Sequence, residues 1–196
     1  MIKTKIFQTY PSHYHRYSVA NEDLFLADYS EQTKNDLVSR SVEVFPGSPP
    51  TDIDYFSIIN TPRLAIGNIV FDNSSFTYSS GNARSQCDCF MVPDTSVKNS
   101  WLFFLELKYS HLPLNNSNNL IKAKRQLFKT RCYYFINKVF DLNSNCYLIA
   151  SLPKQREPFA YSSLSPAYLL NLKRKHNIIL RFKNSAEIID SERLNV

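Results

Sequence analysis

The stretch Trp101-Leu102-Phe103-Phe104-Leu105-Glu106-Leu107-Lys108 decides how this chain folds. It reads as the most apolar strand of the sequence, rich in aromatic and aliphatic residues, and it ends in an acid and a base. Strand alternation puts Leu102, Phe104, Glu106 and Lys108 on one face and Trp101, Phe103, Leu105 and Leu107 on the other. Upstream, Arg84 to Val92 is a second extended segment, joined to the first by the turn-rich Pro93-Asp94-Thr95-Ser96-Val97-Lys98-Asn99-Ser100. Opposed residues of an antiparallel hairpin share a constant index sum, here about 194. Asp88 is therefore expected opposite Glu106, within about one residue.

Working outward, Asn21 to about Phe45 reads as helical, with Thr33 and Asp36 as a capping box before Leu37, Val38 and Val42, until Pro46-Gly47-Ser48-Pro49-Pro50 stops it. Thr51 caps a short helix over Asp52 to Asn60, and Leu64 to Phe71 reads as a buried strand. Beyond the hairpin, an Asn-rich loop leads to a helix over Asn118 to Phe140. Its expected apolar stripe is Ile121, Phe128, Cys132, Phe135 and Val139, and Lys122, Arg125, Gln126, Lys129 and Tyr133 gather on another face. Cys146 to Leu152 reads as a buried strand, Ser165 to His176 as a helix capped by Ser165 with Pro166 in its first turn, and Asn177 to Asp190 as a closing hairpin. This order predicts an α/β or α+β fold, a central mixed sheet flanked by helices. One domain is expected over 1–196, with 1–60 its helical portion and 64–152 its core.

Composition agrees with a folded chain: of 196 residues, 43% are hydrophobic and 14% aromatic, with only 3 Gly against 10 Pro. No apolar run approaches the ~18 residues of a membrane span, and no apolar stretch follows the basic start Met1-Ile2-Lys3-Thr4-Lys5-Ile6. A soluble protein of the cytoplasm, without a membrane partner, is the expectation. Cys87, Cys89, Cys132 and Cys146 show neither metal-binding spacing nor a disulfide framework, which leaves reduced, mostly buried thiols. The net charge of +6 is unevenly spread: residues 1–107 carry 8 Lys or Arg against 12 Asp or Glu, and residues 108–196 carry 15 against 5. The second half is the candidate polyanion-binding surface, with a merely solvated helix face as the alternative. Two histidines at 13 and 15, near the terminus, read as surface residues, and His111, closely following the E-x-K strand, reads as a loop residue without function, with contact to a phosphate as the alternative. Phosphate-binding loop, dinucleotide fingerprint, nucleophile elbow and zinc-protease motifs are all absent from the sequence.

Two carboxylates as close as Asp88 and Glu106 repel each other. A divalent cation relieves that repulsion, and oxygen-only ligands favour Mg or Mn over zinc. The alternative is a cross-strand salt bridge on a half-exposed sheet face. The constellation of Asp88, then Glu106, any residue and Lys108, in the order acidic strand, E-x-K strand, basic helix, further strand, resembles the PD-(D/E)xK nuclease superfamily over residues 64–152. That resemblance implies a restriction-endonuclease-like fold, Asp88 and Glu106 as Mg ligands with the Leu107 carbonyl, and Lys108 beside the attacking water. It also implies Gln126 as an auxiliary residue, an upstream acid for which Glu22, Glu43, Asp52 and Asp54 compete, and a restriction, mobile-element or defence setting. Cys87 stands where the motif's name has proline, and the tyrosine that some members place four residues after the glutamine is here Tyr133, seven residues on. On this expectation the chain hydrolyses phosphodiester bonds of nucleic acid, DNA rather than RNA. Lys122, Lys124, Arg125, Lys129 and Arg131 hold flanking phosphates, and an oligomer or a partner protein supplies target choice. The rivals are a non-catalytic nucleic-acid binder with a vestigial site and a protein-interaction module on the same fold.

Overall fold

The computed structural model describes residues 2–97, 99–159 and 164–196. In chain order, helix α1 (Ile2–Thr9) and a 3-10 turn lead into strands β1 (Tyr17–Ala20), β2 (Leu24–Asp28), β3 (Val42–Pro46), β4 (Phe56–Ile59) and β5 (Ile66–Val70). Strands β6 (Cys89–Pro93) and β7 (Leu102–Leu107), helix α2 (Asn116–Ile136), β8 (Cys146–Ser151), helix α3 (Pro166–His176), β9 (Ile178–Phe182), β10 (Ser185–Ile188) and β11 (Leu194–Asn195) follow. The fold is α+β, built on two mixed sheets. One has six strands in the order β1-β5-β6-β7-β8-β9, the other five in the order β11-β10-β4-β2-β3.

The six-stranded sheet is antiparallel as far as β7 and parallel from β7 through β9, with α2 and α3 as the crossovers. Its two faces feed two cores. Leu102 and Phe104 of β7 join Leu120, Ala123, Leu127, Tyr134 and Leu172 of the helices, whereas Phe103, Leu105 and Leu107 join Leu24, Leu26, Phe56 and Ile58 of the second sheet. The layers thus run helices, sheet, sheet, and β7 is buried on both sides, as its sequence demands. The β6–β7 register pairs Cys89 with Leu105, Phe90 with Phe104 and Met91 with Phe103, the register set by the constant index sum.

Several expectations are corrected. Residues 21–45 are not a helix: β2 and β3 pair antiparallel, and Leu37 and Val38, taken for a helical apolar stripe, are exposed in the connection. Thr33 closes that connection, donating to the Tyr29 carbonyl (3.0 Å) and accepting the Arg40 N–H (2.7 Å). Residues 52–60 hold strand β4 in place of a short helix, because Phe56 and Ile58 fill the core between the sheets. The N-terminal portion 1–60 is accordingly more strand than helix. β9 and β10 form no hairpin. They lie in different sheets, β9 parallel to β8 and β10 parallel to β4. The fully buried stripe of α2 is Leu120, Ala123, Leu127, Thr130 and Tyr134, one step around from the expected one; of the expected residues Phe128 and Phe135 pack against the core, Val139 is buried just beyond the helix, and Cys132 is exposed. His13 is fully buried. Its Nε2 meets the Ser75 carbonyl (2.9 Å) and its Nδ1 the Tyr134 hydroxyl (3.0 Å), and burial pulls its pKa down. Ser165 does cap α3, its hydroxyl accepting the Tyr168 N–H.

Candidate active site

Residue Asp88 directly precedes β6, and its backbone is held on both sides: its N–H donates to the Leu105 carbonyl (3.0 Å) and its carbonyl accepts the Phe71 N–H (2.8 Å). The side chain turns toward β7, where Oδ2 accepts the Leu107 N–H at 2.6 Å. Glu106 is 0% exposed. Its Oε1 accepts from the Lys108 ammonium, and its Oε2 is buried with no hydrogen-bond partner among the described residues. An unpartnered buried carboxylate oxygen is costly, and a bound cation is one way to relieve that cost.

Burial pushes the Asp88 carboxyl up to about 7, against the opposing pull of Lys108 and the Leu107 amide. Burial likewise raises Glu106, the Asp88 charge adds to it, and Lys108 only partly offsets them. Burial works against the Lys108 ammonium too, but the carboxylates of Glu106 and Asp88 outweigh it and hold its pKa up. One further charge acts on Asp88, Glu106 and Lys108 together, that of Asp28 at the end of β2 in the other sheet. The Tyr109 hydroxyl accepts the Asp28 N–H (3.2 Å) and donates to the Asp54 carbonyl (2.5 Å), tying Asp28 to the exit of β7.

The four upstream acids considered in the sequence are engaged or placed otherwise. Glu43 makes a bidentate pair with Arg40 (2.7 Å to each oxygen), Asp52 accepts the Tyr29 hydroxyl (2.7 Å), Glu22 accepts the Asn21 N–H, and Asp54 lines a cleft of about 450 Å³ shared with Asp28, Tyr109, His111 and Lys154. A helix over 21–45 gives Asp28 no place beside β7, so the sequence does not single it out. The available signal was an acid closing the apolar run Leu24-Phe25-Leu26-Ala27.

Helix α2 grips the segment before Asp88 with three side chains. Gln126 donates to the Gln86 carbonyl (2.8 Å), Thr130 accepts the Cys87 N–H (2.8 Å) while donating to the Gln126 carbonyl (3.0 Å), and Tyr133 donates to the Ser85 carbonyl (3.1 Å). Gln126 therefore acts on backbone, as a positioning residue. Thr130 does the same and was missed, although i, i+4 and i+7 place Gln126, Thr130 and Tyr133 on one helix face.

Of the expected phosphate-binding residues, Lys122, Arg125 and Lys129 are exposed on the outer face of α2. Lys124 is half-buried with its ammonium 5.6 Å from the Tyr168 ring. Arg131 is turned inward: 8% exposed, it lies over the Phe135 and Phe140 rings and donates to the His176 carbonyl (3.2 Å), so it does not present its charge to a passing strand.

Among the described residues no three His, Cys, Asp or Glu side chains are already drawn together as a cation cage. The donors present still suit a hard divalent cation: the half-buried Asp88 and wholly buried Glu106 carboxylates repel each other, Glu106 Oε2 is orphaned, and burial keeps the neighbouring Cys87 and Cys89 thiols protonated. No protein-family model, curated protein or solved structure matches the chain.

Proposed function

We propose that the protein is a Mg- or Mn-dependent nuclease of the PD-(D/E)xK type on a restriction-endonuclease-like fold, hydrolysing phosphodiester bonds of DNA in the cytoplasm. One observation carries the reading: adjacent strand ends bring Asp88 beside a wholly buried Glu106 whose Oε2 has no partner, with Lys108 on the other oxygen. A lone Glu–Lys bridge does not require a second, half-buried acid at its side.

Asp88 and Glu106 would hold the cation, with Asp28 the nearest further acid and the Leu107 carbonyl the backbone ligand that the resemblance implies. When bound, the metal supplies a water acidified toward neutrality and neutralises charge on the phosphoryl oxygens. The chain's own residues supply the rest. Lys108, beside both carboxylates, would orient the attacking water and offset charge on the reacting phosphate. Gln126, Thr130 and Tyr133 fix Asp88 from behind, and Lys122, Arg125 and Lys129 attract the strand's backbone. Among the described residues no helix is long and apolar enough to cross a membrane.

The Lys108–Glu106 bridge also favours a second reading, a vestigial site on a nucleic-acid binder. Cleavage of supercoiled plasmid and single-stranded oligonucleotides in EDTA, Mg or Mn separates the two. The nuclease reading expects metal-dependent cutting that Glu106→Ala and Lys108→Ala abolish while the fold is retained. Salt-sensitive binding without cutting under any metal supports the vestigial site.

A further inference from the structure

We infer that Lys154 and His111 form an anion-binding pair in the cleft beside the acid pair, and that it takes a phosphate of the nucleic-acid strand next to the one being cleaved. The choice of anion rests on the nuclease reading; the pair itself rests on geometry. His111 and Lys154 follow the carboxyl ends of the adjacent parallel strands β7 and β8, and both line the cleft that Asp28 shares. The Lys154 ammonium lies 3.0 Å from His111 Nε2. An ammonium can only donate, so Nε2 accepts and the ring proton sits on Nδ1, leaving the pair with further donors and no acceptor in use against it. The cleft is rich in carboxylates (Asp28, Glu31, Asp52, Asp54), yet among the described residues none lies within ion-pairing distance of Lys154. A cation kept away from such neighbours remains available to a ligand.

The pair is also preorganised. Gln155, the neighbour of Lys154, donates to the carbonyl of Ser110, the neighbour of His111 (2.8 Å). It also exchanges two amide bonds with the fully buried Asn116 at the start of α2 (2.7 and 2.8 Å). Asn184 secures the same loop from the other side, donating to the Gln155 carbonyl (2.7 Å). Two surface loops tied together by the buried Asn116 and the half-buried Gln155 and Asn184 amides hold His111 and Lys154 near each other, as a binding site requires. In a cleft whose carboxylates repel phosphate, the Lys154 ammonium is the lining cation, and the His111 Nδ1–H stands beside it as a neutral donor.

The test uses the full chain and two readouts. Inorganic phosphate is titrated into ¹⁵N-histidine-labelled protein without metal, with the His111 ring signals assigned by His111→Gln. The expected result is a saturable shift of those signals that Lys154→Ala abolishes and that Lys5→Ala, at a distant surface cavity, leaves intact. On an oligonucleotide that the wild type cuts, Lys154→Ala should raise KM about tenfold, the loss of one charge-assisted contact, with kcat within about twofold and recovery in Lys154→Arg. An unmoved His111, or a shift surviving Lys154→Ala, overturns the inference even if the wild type cuts DNA. A phosphate-responsive His111 in a protein that cuts nothing upholds the anion pair and removes the nuclease reading instead.

Discussion

Replacing Asp88 with Asn should make the metal-free protein more stable, the reverse of the usual effect of altering a buried hydrogen-bonded residue. The amide oxygen can still accept the Leu107 N–H, whereas the buried negative charge disappears. The native carboxyl titrates at about 7 against an ordinary 3.8, because burial disfavours its charge. Between those values the folded state keeps a proton that the unfolded chain has released, so unfolding free energy falls as pH rises from about 4 to about 7 and stays low above it. The rise corresponds to about 4 kcal/mol. Asp88 retains some solvent contact, and screening reduces this to about 2–4 kcal/mol, or roughly 4–15 °C in melting temperature for a chain of this size. Removing that charge also eases Glu106, which moves stability in the same direction. The assay is urea or thermal unfolding of wild type and Asp88→Asn in EDTA from about pH 4 to about pH 8. The variant should match the wild type at the acid end, exceed it increasingly between about pH 4 and about pH 7, and keep a constant lead above that. Mg should then restore the wild type, by about 2.7 kcal/mol at a hundredfold excess over Kd, and leave the variant unmoved. An Asp88→Asn protein less stable than wild type at about pH 8, or with an unchanged pH dependence, would refute the reasoning that this carboxylate is held at a cost in the absence of a cation.

The clamp on α2 predicts an order of variants. Thr130→Val orphans the buried Cys87 N–H and should cost about 1–3 kcal/mol, whereas Thr130→Ser keeps the acceptor and loses about 1 kcal/mol of methyl burial; chemical denaturation showing Val milder than Ser would assign Thr130 to packing alone. Arg131→Met should destabilise the fold through its lost His176 and ring contacts and leave the salt dependence of DNA binding as it was, while Arg125→Ala should lower that slope by about 1. Binding isotherms at several salt concentrations distinguish the two.

What the sequence disclosed follows from how far each signal reaches. The β6–β7 hairpin, its register and the two faces of β7 were legible because the alternation, the turn and the partner strand all lie within a couple of dozen residues. β5, β8 and the Ser165 cap of α3 were legible for the same local reason. The second sheet was not. β4 is a strand because β2 and the far β10 flank it, and no local pattern in Phe56-Ser57-Ile58-Ile59 announces a neighbour at Ser185–Ile188. Reading 21–45 as helix then hid Asp28, whose significance lies in its approach across two sheets. On α2 the stripe slipped by one residue because the buried face includes the polar Asn116, Thr130 and Arg131, while the apolar Ile136 is exposed. These polar residues are inside because each has a specific partner, Gln155, Cys87 and His176 respectively, which hydropathy does not encode. The acid pair and its lysine were readable as a motif; the residues that orient them were not.

The most direct measurement is anomalous diffraction from a crystal of the protein soaked in Mn. The account predicts a Mn peak between the Asp88 and Glu106 carboxylates, with Glu106 Oε2 among its ligands and the Lys108 ammonium displaced from Glu106. An intact Lys108–Glu106 bridge at saturating Mn, with no peak at the acid pair, would contradict it.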